Sequence, residues 1–253
     1  MRELELTKTS IGGLLTLIEE QPGGLRHLFR GQGDAKWGLV PPLYRINSPN
    51  VNSSSVEKNY SLYEALLINS FFREGLPYLP QLTRSYSNDR FLAQHFGVPT
   101  RFLDWSQDPL VALFFALETW DWKTDASLFM LMPDAHYLPE DVKGFGDHGA
   151  VAITPPAIDR RIPSQKSRFT VHPYGDKTAD FVALDKREGF GNLITTRTNS
   201  QIRGFARVLI PRKAKRVLFQ SLLGMGVDRR NLFPGLEGVG ADLASRAKCK
   251  QIW

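Results

Sequence analysis

Asp108-Pro109-Leu110-Val111-Ala112-Leu113-Phe114-Phe115-Ala116-Leu117 reads as a helix with its start written in: Asp108 is the N-cap and Pro109 takes the first helical position. It is apolar on nearly every side, so it must be buried. Upstream, Asn88 to Phe96 fits a shorter helix closed by Gly97. Before that, Tyr60, Tyr63, Leu67 and Phe71 recur at spacings of three and four and define a helix from Val56, capped by Ser55, to about Arg73. A helix from Ser10 to Glu20 is weakened by Gly12 and Gly13. Strands are expected at 27–30, 127–132, 150–153, 168–172 and 205–210, and helices from Lys215 to Leu223 and from about Leu236 to Ala247. Helices and strands are partly segregated, without regular strand–helix alternation, which predicts an α+β single domain over residues 1–253. The polar run 48–55 is expected to be an exposed loop. The polar stretches 133–148 and 173–204 are expected to be functional loops or insertions.

The chain has 253 residues, 42% of them hydrophobic and 23% charged, which removes support for wholesale disorder, a collagen-like chain or a membrane bundle. With one cysteine, Cys249, a disulfide scaffold is excluded and a reducing compartment fits. No long apolar run and no greasy N-terminal leader is present, so a cytoplasmic protein with no membrane partner is expected. The net charge of +6 is unevenly placed. Residues 1–157 carry 13 basic and 18 acidic side chains, and residues 158–253 carry 19 and 8. The basic half suggests a surface for nucleic acid or phosphate-rich ligands, with Arg212, Lys213, Lys215, Arg216, Arg229 and Arg230 as its candidates; ordinary solvated surface charge explains it as well.

Several chemistries lack their motifs. There is no phosphate-binding P-loop, dinucleotide glycine triplet, His-Glu-x-x-His helix, paired-Cys zinc pattern or Gly-x-Ser-x-Gly elbow. His27, His95, His136, His148 and His172 are too scattered for metal-ligand spacing, so no metal is expected.

Two segments concentrate polar side chains among apolar ones. In Leu28-Phe29-Arg30-Gly31-Gln32-Gly33, Arg30 ends an apolar strand and glycines follow, leaving room for a close-approaching ligand whose phosphate or carboxylate the guanidinium would hold. Arg30 pairing internally with Asp34 or Asp104 is the alternative. In the second segment His95, Thr100, Arg101, Asp104, Trp105 and Ser106 crowd a stretch read as the loop entering the buried helix, where a helix N-terminus favours anions. The competing account makes it a hydrogen-bonded loop: Asp108 caps, Asp104 pairs with Arg101, Trp105 fills the core and His95 bonds a backbone carbonyl.

These residues resemble the FRG domain family. Phe29-Arg30-Gly31 stands for its name-giving signature, with Gln32, Trp37 and Pro42-Leu43-Tyr44-Arg45 following, and Ala93 through Ala116 is similar to its second signature nearly position for position. Arg161 to Phe169, Ile210-Pro211 and Leu232 to Gly238 also look familial. The family's occurrence in bacterial and phage proteins implies a toxin or antiviral-defence setting. A weaker similarity is to ADP-ribosyltransferases of the Arg-Ser-Glu class: Phe29-Arg30-Gly31 is similar to their first motif, and Asp104-Trp105-Ser106 before Val111 to Ala116 to their second.

That second resemblance implies an ADP-ribosyltransferase-like split mixed β-sheet core and an NAD-binding cleft. Arg30 would lie on a diphosphate, with His95 or Ser106 orienting ribose and nicotinamide. The contact set would include Phe29, Gly31, Gln32, Arg45, Thr100, Arg101, Asp104, Trp105 and Phe169. The class's third motif, a Glu in Gln-x-Glu or Glu-x-Glu, is missing, and Gln165 or the isolated Glu188 would have to stand at the anomeric carbon. Transfer of ADP-ribose to a protein or nucleic-acid acceptor is one implied function; a non-catalytic nucleic-acid or nucleotide-binding module is the other. A third account gives the motifs a folding role only, through a buried Arg30–Asp104 pair.

Overall fold

The computed structural model describes residues 2–23, 26–46, 56–79, 85–118, 122–133, 136, 138, 150–172, 174, 181–186 and 202–248. The run 48–55 with Ser55, most of the two long polar stretches, Glu188, His148 and Cys249 lie outside them.

The strands are β1 (Arg2–Glu5), β2 (Leu28–Gln32), β3 (Phe102–Ser106), β4 (Ala126–Pro133), β5 (Val151–Ile153), β6 (Ser167–Val171) and β7 (Ile202–Ile210). They form one mixed sheet in the order β1-β7-β4-β2-β3-β6-β5, in which only β1 and β7 run parallel. The helices are α1 (Ile11–Glu19), α2 (Val56–Gly75), α3 (Tyr86–His95), α4 (Pro109–Leu117), α5 (Arg161–Ser164), α6 (Arg212–Gly224), α7 (Arg229–Leu232) and α8 (Leu236–Lys248). The expected α+β single domain is what these elements build.

Two strands escaped the sequence reading. β1 is a four-residue edge strand whose alternating charges gave no apolar signal. β3 matters more: the end of the polar segment expected to be a loop, Phe102–Ser106, is a strand paired over its whole length with β6. Its alternation explains the mistake. Leu103 and Trp105 face one core cluster and Phe102 another, while Asp104 and Ser106 fall at the edge of a break in the sheet.

α4 is buried as expected. It joins α1, α6 and the inner residues of β2, β4 and β7 in the largest core cluster. Gly31 is the hinge of this packing. A Cβ there would penetrate the Ala112 carbonyl oxygen and stand 2.6 Å from the Ala116 nitrogen. The close approach that this glycine permits is therefore that of α4.

α2 and α3 are tied to the rest through a buried carboxylate. Glu64 is fully buried and accepts hydrogen bonds from Arg90 Nε (2.7 Å), the Arg101 N–H (2.8 Å) and the Tyr174 hydroxyl (2.7 Å). The Arg90 guanidinium also lies 3.4 Å over the Tyr86 ring, and that of Arg101 lies 4.0 Å over Tyr174. Burial, reinforced by the charge of Glu64, pushes the Tyr174 hydroxyl pKa well up, so it remains a donor.

Candidate functional site: a cavity in the fork of the sheet

β2 pairs with β4 through five residues, and β3 with β6 through five, but β2 and β3 share a single register pair, Phe29 with Ser106. Beyond it the two strands diverge. A cavity of about 830 Å³ occupies this fork, within the size range of small-molecule sites. One wall carries Arg30 and Gln32 of β2 with Trp37, Tyr44 and Arg45 from the segment that follows. The other carries Asp104, Ser106, Phe115, Glu118, Gln165 and Phe233.

Arg30 spans the gap. Its Nη1 donates to the Asp104 carbonyl oxygen (2.6 Å) and lies 3.8 Å from Asp104 Oδ2, while its Nε is buried without a partner. Asp104 is more than half exposed at 55%, so this is no sealed ion pair of the kind a purely folding role requires. Burial lowers the Arg30 pKa; Asp104 opposes that shift and the like charge of Arg45 adds to it. A guanidinium nonetheless stays charged. Arg45, exposed, spends only its Nε among the described residues, on the Val40 carbonyl (3.0 Å). Two guanidinium groups therefore line one hollow with donors to spare.

Asp104 accepts from Gln94 Nε2 (2.7 Å) and pairs with Arg30, not with Arg101. Ser106 lines the cavity, but its hydroxyl donates to the Gln165 carbonyl (2.7 Å) and accepts from the Asp108 N–H (2.9 Å). The turn before β6 is stapled to the start of α4 in the same way, by Lys166 Nζ to Asp108 Oδ2 (2.8 Å). The α4 N-terminus suggested for an anion is thus occupied by its own cap, Asp108, which accepts from the Leu110 N–H. Gln165 also lines the cavity; its amide donates to the Leu232 carbonyl (3.0 Å).

A smaller annex of about 150 Å³ adjoins the cavity, sharing Asp104, Gln165, Ser167 and Phe233 with it and adding His95, Arg161 and Phe169. His95 Nε2 lies 3.2 Å from Asp159 Oδ1, so its partner is a carboxylate and no backbone carbonyl. Burial lowers the His95 pKa, only partly countered by Asp159. Thr100 and Arg101 belong to neither cavity. Both are buried, Thr100 against Gln94, and Arg101 donating to the His172 carbonyl (3.2 Å) and the Tyr86 hydroxyl (2.9 Å). Their polarity serves the framework and not a ligand.

One cavity carboxylate went unnoticed in the sequence. Glu118, just past the end of α4, lines the fork and pairs with Arg229 Nη2 at 2.6 Å. Burial raises its pKa and Arg229 opposes the rise. The signal is weak, a lone Glu after an apolar helix, because its partner Arg229 comes from α7, more than a hundred positions downstream.

The basic set of the C-terminal half does not form one face. Lys215 is fully buried, its Nζ donating to the Gly33 (2.9 Å) and Thr124 (3.1 Å) carbonyls. Arg229 is taken by Glu118, and Arg230 by Asp228 and Asp242. Arg212, Lys213 and Arg216 are exposed on α6. Lys215→Met strands two carbonyls and is expected to lower stability by about 1–3 kcal/mol, read as a reduced denaturant midpoint. An unchanged midpoint would return Lys215 to the surface set.

Among the described residues no helix is long and apolar enough to cross a membrane, and no group of three His, Cys, Asp or Glu could hold a metal ion. The FRG domain family model matches residues 26–124 of the chain. The matched span contains Arg30, Arg45, Asp104 and Glu118. Gln165, Arg229 and Phe233, which complete the cavity, lie beyond it. Neither a curated protein nor a solved structure matches the chain.

Proposed function

We propose that the fork cavity binds the diphosphate of NAD or a related nucleotide in an ADP-ribosyltransferase-like cleft. The observation that carries this reading is the convergence of Arg30 and Arg45 on one hollow large enough for a nucleotide, with a buried Arg30 Nε that no group among the described residues satisfies. Guanidinium forks match phosphate oxygens in geometry and charge, and an anion between them relieves their mutual repulsion. With NAD as substrate, the reaction such a cleft would carry is transfer of ADP-ribose to a macromolecular acceptor. Gln165 is neutral and its amide is engaged, so the carboxylates facing the cavity, Asp104 and Glu118, are the groups suited to positive charge developing at the anomeric carbon as nicotinamide leaves.

Titration calorimetry with NAD and ADP-ribose, together with a nicotinamide-release assay, tests the reading. Binding is expected in the parent. Arg30→Gln or Arg45→Gln should weaken it by about tenfold to a hundredfold, the equivalent of one lost charge-assisted interaction. Absence of binding by both compounds, with no nicotinamide released, rejects it.

A further inference from the structure

The same cavity holds features that a diphosphate does not use. Gln32 is buried at 5% exposure; its Nε2 donates to the Gly38 carbonyl (3.2 Å), and its Oε1 is buried with no partner among the described residues. Ser127, its register partner on β4, likewise has a buried Oγ with no partner. Buried acceptors left unmatched are uncommon in folded proteins and call for an explanation. Gln32 stands two residues from Arg30 on one strand, so both belong to the same face, roughly 7 Å apart along the chain.

Trp37 lines the cavity on this side and is 56% exposed. It is held there by a rigid support. The Trp37 backbone N–H donates to the Asp34 carbonyl (3.1 Å), Gly38 is fixed by Gln32, and the Leu39 backbone N–H donates to Asp185 Oδ1 (2.6 Å). Leu39 itself is fully buried. A large indole kept half in solvent by a well-anchored loop, beside an unmatched acceptor, is a preorganised platform for a flat polar ring.

We infer that Trp37 and Gln32 form a ring-recognising subsite: a planar heteroaromatic ring packs against Trp37, and a turn of the Gln32 amide that brings its buried Oε1 to the cavity surface lets it accept an edge N–H, while Arg30 and Arg45 hold the attached phosphates. This rests on the nucleotide reading and names the chemistry at its far end. The N–H is supplied either by the exocyclic amine of an adenine or by the carboxamide of a nicotinamide.

The test is calorimetry on the full chain with four probes: ADP, N6,N6-dimethyl-ADP, which lacks the N–H groups, nicotinamide mononucleotide, and inorganic pyrophosphate. In the parent, one of the two ring-bearing compounds should bind at least about tenfold more tightly than pyrophosphate. If it is ADP, the dimethyl analogue should lose most of that advantage; if it is nicotinamide mononucleotide, the carboxamide is the donor. Gln32→Leu and Trp37→Ala should each erase the preference for the ring and leave pyrophosphate affinity unchanged, which also shows that the variants are folded. Equal affinities for all four probes in the parent, or a preference that survives both substitutions, overturns the subsite while leaving the diphosphate site standing. Absence of binding by any probe removes both.

Discussion

Glu64→Ala is expected to be among the most damaging single substitutions in this chain. It removes the acceptor of three hydrogen bonds at once and leaves Arg90, 7% exposed, with a buried charge held by the Tyr86 carbonyl (3.0 Å) and the face of the Tyr86 ring. Breaking one side of a buried ion pair costs about 3–5 kcal/mol, which for a chain of this size lowers Tm by roughly 10 °C. Glu64→Gln, which keeps the shape and one acceptor, should fall between. Thermal unfolding checks both. A Tm for the alanine variant within about 2 °C of the parent would mean that the network is not what joins α2 and α3 to the sheet.

The second large effect is expected at Gly31. Valine there drives a branched side chain into the backbone of α4, and backbone cannot swing aside as a flexible side chain can. Forced overpacking costs about 1–3 kcal/mol, occasionally more. Because Ala112 and Phe115 of α4 also line the fork, the same displacement should reduce nucleotide binding. Denaturant unfolding and calorimetry read the two consequences separately. Gly31→Ala should already lower the unfolding midpoint, since the first added carbon is the one that meets the Ala112 carbonyl. A stable Gly31→Val protein would show that α4 does not depend on this close contact.

These two residues also mark what was and was not legible beforehand. Arg30 and Gly31 are legible in the sequence as a pair beside a hollow, and Gly31 does line the cavity, but its need to be glycine comes from α4, whose backbone occupies the space of a Cβ. The crowded run around Asp104 was noticed for its density of polar groups. Density cannot separate a loop from a strand whose side chains alternate between two cores and the rim of a gap. Glu64 gave no warning at all, because a glutamate on a helix is ordinarily solvated and only its three distant partners make it structural.

The amino-acid order by itself determined the local grammar: the Asp108 cap and Pro109 that start α4, the apolar content that buries it, the periodicity of α2, and the apolar runs of β2, β4 and β7. Those follow from short-range backbone preferences and from the exclusion of hydrocarbon from water, which act over a few residues. Only the tertiary structure decided where β2 and β3 part, which of the positive charges remain available, and that Glu118 shares a cavity with Arg30. Each of those depends on groups brought together from far along the chain, and electrostatic energy depends on distance and burial, neither of which is written in the order of residues.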